Sequence, residues 1–168
     1  MNDHRIKSVI LTLVGNVTVR PAKMFTAREF FNVNTKRNAS VAISYLGDDF
    51  IKWFLSKTEE RLKDKVGLHY HDLNKNSLDA PIFRELGGET KVETNLAEIA
   101  ALMKKQAHGE PGALVIDDYA NIFYVRNVNG VVYAVCVYWR GRGWNVFTSS
   151  VKFPFEWDAG YRVFSRDS

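Results

Sequence analysis

His69-Tyr70-His71-Asp72 is the densest group of chemically versatile side chains in this 168-residue sequence. On an extended segment, residues two apart face the same way, so His69 and His71 share a side. Two imidazoles with a carboxylate, from Asp72 or the later Asp117 or Asp118, supply the donor types of a transition-metal site. Imidazole also titrates near neutrality and serves as a general base. A small hydrolase or nuclease built on His69 and His71 with Asp72 or Asp118 is therefore the enzymatic alternative. Against it, HxHD is a short pattern, and neither a further Cys/His pair nor a nucleophile motif accompanies it. Exposed loop histidines are the plainer reading. The pair Asp117-Asp118 offers carboxylates for a divalent cation or for acid–base work. Neighbours on a strand point to opposite faces, however, and Asp is a turn former because its side chain bonds the backbone. No cofactor is expected: Leu86-Gly87-Gly88 and Gly141-Arg142-Gly143 lack the spacing of a phosphate loop or dinucleotide fingerprint. Cys136, between Val135 and Val137, reads as a buried, inert thiol.

The second signal combines aromatic and basic residues. Tyr138-Trp139-Arg140-Gly141-Arg142-Gly143-Trp144 sets two tryptophans and two arginines around one turn, and Lys36, Arg37, Lys152, Arg162 and Arg166 extend the positive charge. Arginine binds phosphates without sequence preference, and exposed aromatics stack on unpaired bases. The same Trp/Tyr/Arg set is what a protein-binding hot spot contains. Trp139 and Trp144 also have the placement of a cross-strand pair that closes a hairpin, with the arginines solvated. The leading expectation is a small basic accessory protein, a non-enzymatic binding module using this sheet surface. A protein partner ranks ahead of a nucleic-acid assembly.

The elements that position these residues are legible to different degrees. Val, Ile, Tyr, Phe and Trp dominate Ala113 to Ser165, as suits a pleated surface. Strands are expected near 120–127, 131–139, 144–151 and 161–165, with Asn129-Gly130 as a hairpin turn. Pro154 should end the third strand, and Phe155 and Trp157 should cap the core. At the N-terminus, Ile6, Val9, Leu11 and Leu13 alternate with polar residues toward Gly15-Asn16, which reads as the turn of a first hairpin. Thr26 and Glu29 have capping-box spacing, so a helix is expected over 27–33. A strand follows over 40–46, then a helix over 48–64 with Arg61 among the cations near its end. Residues 67–93 read as a long ordered loop or a short pair of strands. Asn95 with Glu98 predicts an N-capped helix reaching Lys104 and Lys105.

Composition bounds the class. Apolar residues make up 46% and charged residues 25%, ordinary for a globular chain, and no apolar run reaches membrane length. A lone cysteine forms no internal disulfide, which fits a reducing, cytoplasmic setting without a membrane partner. The net charge of +4 is uneven: residues 1–40 hold seven Lys or Arg against two acids, while residues 41–118 hold ten against fourteen. These features predict one α+β domain over 1–168. Its antiparallel sheet would have about five or six strands, made of the N-terminal hairpin and a C-terminal meander over about 113–166. Two or three helices from a middle segment, about 26–106, would pack on one face. The YANIFYVRNVNGVVYAVCVYWRGRGW block, with the late RVFS, resembles small accessory proteins of bacteria and their phages. That resemblance implies an accessory role and assigns no residue.

Overall fold

The computed structural model describes residues 9–60, 63–153 and 155–166; Ile6, Arg61 and Pro154 lie outside them. The strands are β1 (Leu11–Val19), β2 (Met24–Thr26), β3 (Ile43–Leu46), β4 (Thr58–Glu60), β5 (Val66–Leu73), β6 (Glu93–Thr94), β7 (Asn121–Arg126), β8 (Val132–Arg140), β9 (Gly143–Ser150) and β10 (Arg162–Arg166). The helices are α1 (Ala27–Phe30), α2 (Asp48–Phe54), α3 (Asp79–Leu86), α4 (Glu89–Val92) and α5 (Leu96–Lys105). Eight strands form one mixed sheet in the order β1-β5-β10-β7-β8-β9-β3, with β6 on the edge of β7 that β10 also uses. The pairings β10–β7, β6–β7 and β3–β9 are parallel. β2 and β4 make a separate ribbon. The expected five- or six-stranded antiparallel sheet is thus too small and of the wrong kind.

Helices on one face is also incorrect. One core lies between the sheet and α1, α2 and α5, and takes Phe123, Val125, Val135, Val137, Trp144 and Phe164. The other takes the alternate residues Ile122, Tyr124, Ala134, Cys136 and Val163, under Ile82 of α3, Val92 of α4 and Trp157. The physical reason is in β7 and β8. Their apolar residues run almost without interruption, the pattern of strands buried on both faces. No helix among the described residues is long and apolar enough to cross a membrane.

Four local expectations also change. Gly15-Asn16 is not a turn, because β1 runs straight through it against β5, with Val14 as an extra residue in a bulge. Gly15 is needed there because a Cβ would lie 2.6 Å from the Tyr70 hydroxyl. Residues 67–93 are neither a long loop nor a pair of short strands, but one long strand, β5, followed by α3 and α4. The helix from 48 stops at Phe54, since Thr58–Glu60 is drawn into pairing with β2. At the N-terminus of α1, Thr26 makes no side-chain cap hydrogen bond. By contrast, the capping box of α5 forms in full: Glu98 N donates to Asn95 Oδ1 at 2.9 Å, and Asn95 N donates to Glu98 Oε1 at 3.0 Å.

Candidate functional site

The β8–β9 hairpin supplies the first wall of the site. It turns at Gly141-Arg142, with Gly141 at φ +67°, so Arg140 pairs with Gly143 and Trp139 with Trp144. Alternation along β8 then sends Tyr138 and Arg140 to the Cys136 side of the sheet and Trp139 to the other. Phe147 stands diagonally across from Tyr138, and their rings meet edge to face at 5.6 Å. The second wall is Tyr161, at the start of β10, which stacks in a tilted row with Trp157 (6.3 Å) and meets Tyr119 at 6.1 Å. Between the walls lies an open cleft of about 260 Å³, floored by Ala120 and edged by Asp118 and Arg140. Tyr138, Phe147 and Tyr161 are half-buried, while Asp118 and Arg140 are exposed.

Asp118 is held in an unusual backbone conformation. Its φ is +70°, the sole positive value at a non-glycine among the described residues. Asp tolerates the left-handed region better than most residues, at some cost in energy. The loop that carries it is clamped to the sheet. Buried Asn121 accepts from Val115 N at 2.9 Å and donates to Val115 O and Val137 O at 3.0 and 3.1 Å. Upstream, Gln106 donates to Glu110 O and Leu114 O and accepts from Leu114 N. Arg162 donates to Ala113 O at 2.8 Å. Both ends of the loop are thereby anchored to the sheet and to α5. Burial, and then the Asp158 carboxylate, push the Tyr161 hydroxyl above its ordinary pKa, so it stays a neutral donor.

The remaining candidates fall elsewhere. Trp144 is fully buried and donates its Nε1 hydrogen to Gln106 O at 2.9 Å. Trp139 packs edge to face on it at 5.5 Å, beneath Gly109. The two form a core pair, as the cross-strand alternative holds. Arg142 is exposed at the tip of the turn. Lys36 and Arg37 are exposed on the loop before β3, near the same end of the sheet. Lys152 follows β9 at the opposite end, about 23 Å away over seven strand rises. The basic-aromatic surface is therefore divided, and only Tyr138 and Arg140 of that set line the cleft.

His69 and His71 do share a face of β5, on the Leu73 side. Asp72 points to the other face, where Arg162 Nε and Nη2 bind it at 2.8 and 3.3 Å. His69 Nδ1 bonds Asn16 Oδ1. His71 Nδ1 is buried with no hydrogen-bond partner among the described residues. Burial, and secondarily His69, hold its imidazole below its usual pKa, against the opposing pull of Glu85 and Asp72. Among the described residues no three His, Cys, Asp or Glu side chains converge as a metal site. Asp118 lines the aromatic cleft, and neither histidine does.

Phe147 and Tyr161 are the cleft residues that sequence patterns do not single out. The register set by the Gly141-Arg142 turn points to Phe147, because it fixes the diagonal neighbour of Tyr138. Tyr161 arrives only through the insertion of β10 between β5 and β7, which has no local signal. No protein-family model matches the chain, and no curated protein and no solved structure matches it.

Proposed function

We propose that this chain is a non-enzymatic binding module, a small accessory protein that captures a protein partner in the Tyr138–Phe147–Tyr161 cleft. The observation that carries this reading is the cleft's composition. Three half-buried aromatic rings border one cavity, with an arginine and a carboxylate on its rim. Tyr and Arg are the residues that dominate protein-binding energy, because each joins a large apolar contact area to a polar tip. The local charge favours protein over nucleic acid. Asp118 lies exposed on the rim and Asp158 stands beside Tyr161, against Arg140. A phosphate backbone would meet repulsion there, whereas a protein surface can offer a basic side chain between the rings and the carboxylates. The hydrolase or nuclease alternative lacks comparable support, since Asp72 lies on the opposite face of β5 from the two histidines and Asp118 lines a cleft that neither histidine borders.

Affinity capture from the source organism, comparing wild type with Tyr138→Ala, tests the proposal. A protein retained by the wild type should be lost with Tyr138→Ala and kept with Lys152→Ala, with the variants' thermal midpoints within a few degrees of wild type. Identical captured sets for all three would overturn it.

A further inference from the structure

A second surface lies on the opposite side of the sheet, across α5. One open cleft of about 240 Å³ runs between the end of β1 and α5. It has Ala97 and Ala101 as floor, Phe25 as wall, and Arg20, Lys104 and Lys105 along its edges. A second, of about 220 Å³, begins on the far side of Lys104 and is lined by Phe30, Asn32, Asn34 and Ser40, with Glu29 as its one acid. Lys104 belongs to both, so the two form one track. The track leads toward Lys36, whose backbone N–H donates to Asn34 Oδ1 at 3.1 Å.

Arg20, Lys104 and Lys105 are exposed, and none forms an ion pair with another described residue. Lys104 rests over the Phe30 ring at 5.6 Å. Glu59, which meets the start of α5, is already engaged. Its carboxylate accepts from Leu96 N and Ala97 N and pairs with Lys57 at 3.0 Å. Lysines in the last turn of α5 complement the helix dipole. That accounts for neither Arg20, which comes from the end of β1, nor the alanine floor that leaves the space between them open.

We infer that this track binds a single nucleic-acid strand through its phosphodiester backbone. Arg20, Lys104 and Lys105 edge the first cleft, Lys104 also borders the second, and exposed Lys36 follows Asn34 beyond it; positive charge that continues past one cleft suits a repeating anion better than a lone phosphate. The polar side chains of Asn32, Asn34 and Ser40 add hydrogen-bond donors beyond the last lysine.

The test is fluorescence anisotropy with a labelled mixed-sequence single strand of about 20 nucleotides. Three neutralised phosphates give a slope of log K against log salt of about −2, so affinity should fall roughly twentyfold between about 50 and 200 mM salt. The double variant Lys104→Ala/Lys105→Ala should bind more weakly at low salt and lose only about threefold over the same interval. Lys91→Ala/Lys152→Ala carries the same net-charge change away from the track and should behave as wild type. Tyr138→Ala should also retain strand binding, which separates this site from the aromatic cleft. Equal weakening by both lysine pairs, no binding at low salt, or equal affinity for polyglutamate would overturn the inference.

Discussion

Among single residues, Asp79 has the sharpest energetic consequence. It is 1% exposed at the start of α3. Its Oδ1 accepts from Tyr124 Oη and from Trp157 Nε1, both at 2.7 Å, while Oδ2 is buried without a partner among the described residues. Burial raises the carboxyl pKa above its ordinary value, and the two hydrogen bonds only partly oppose this. A group that holds its proton more tightly when folded stabilises the fold fully below its unfolded pKa. That contribution is lost as the pH rises through the folded value, and it amounts to about 1.4 kcal/mol for each tenfold gain in proton affinity on folding. Asp79→Asn keeps an acceptor for Tyr124 and Trp157 and cannot ionise. Urea midpoints at about pH 4 and pH 7 should therefore show wild type losing stability relative to the variant as pH increases. Buried Glu98, whose carboxyl is also raised by burial, is common to both proteins and cancels. A parallel pH dependence in the two would show that Asp79 ionises freely within the fold.

Among elements, the loop between α5 and β7 shows how buried amides substitute for secondary structure. Residues 113–120 have no ladder of their own, and buried backbone groups need partners. Asn121 provides two of those bonds, to Val115 N and O, and ties them to β8 through Val137 O, beside the aromatic cleft. Asn121→Ala should cost about 2–3 kcal/mol, from groups left unsatisfied. Amide exchange should rise at Val115–Ala120 before the rest of the sheet. If exchange there stays at the wild-type level, Gln106 and Arg162 hold the loop without Asn121. Such elements resist being read from sequence, and the contrast with others is physical. α5 was legible because its capping box is local, and β7 to β9 because adjacent strands are joined by short turns. β5 was not, because VGLHYHDL alternates apolar and polar residues weakly. Its neighbours, β1 and β10, lie far away in the chain. Gly15 looked like a turn because the close approach of Tyr70 across the sheet is invisible locally. In the same way, Tyr138 and Arg140 were legible as surface residues, whereas their company with Asp118 depends on how the loop is clamped.

In the whole molecule, the last strand is central. β10 sits between β5 and β7, antiparallel to one and parallel to the other, so it alone joins the β1–β5 pair to the strands that carry the aromatic cleft. Its Phe164 stacks on Phe123 at 4.6 Å and contacts Tyr70 at 5.5 Å, while Val163 enters the opposite core. Arg166 ties the strand to Glu98 of α5 at 2.7 Å, and Arg162 ties it to Asp72 of β5. A terminal strand on a sheet edge can fray with little effect, but a central one leaves two unpaired edges when removed. A chain ending at residue 160 should therefore lose its cooperative thermal transition and its near-ultraviolet dichroism, and should aggregate through the exposed edges of β5 and β7. Supplying residues 161–168 as a separate peptide should restore the transition in part, in proportion to peptide concentration. A truncated chain that still unfolds cooperatively near the wild-type midpoint would mean that β7, β8 and β9 with α5 fold independently. The long-range pairing of β10 would then contribute little to the sheet, and Tyr161 would have to be held in the cleft by Trp157 and Tyr119 alone.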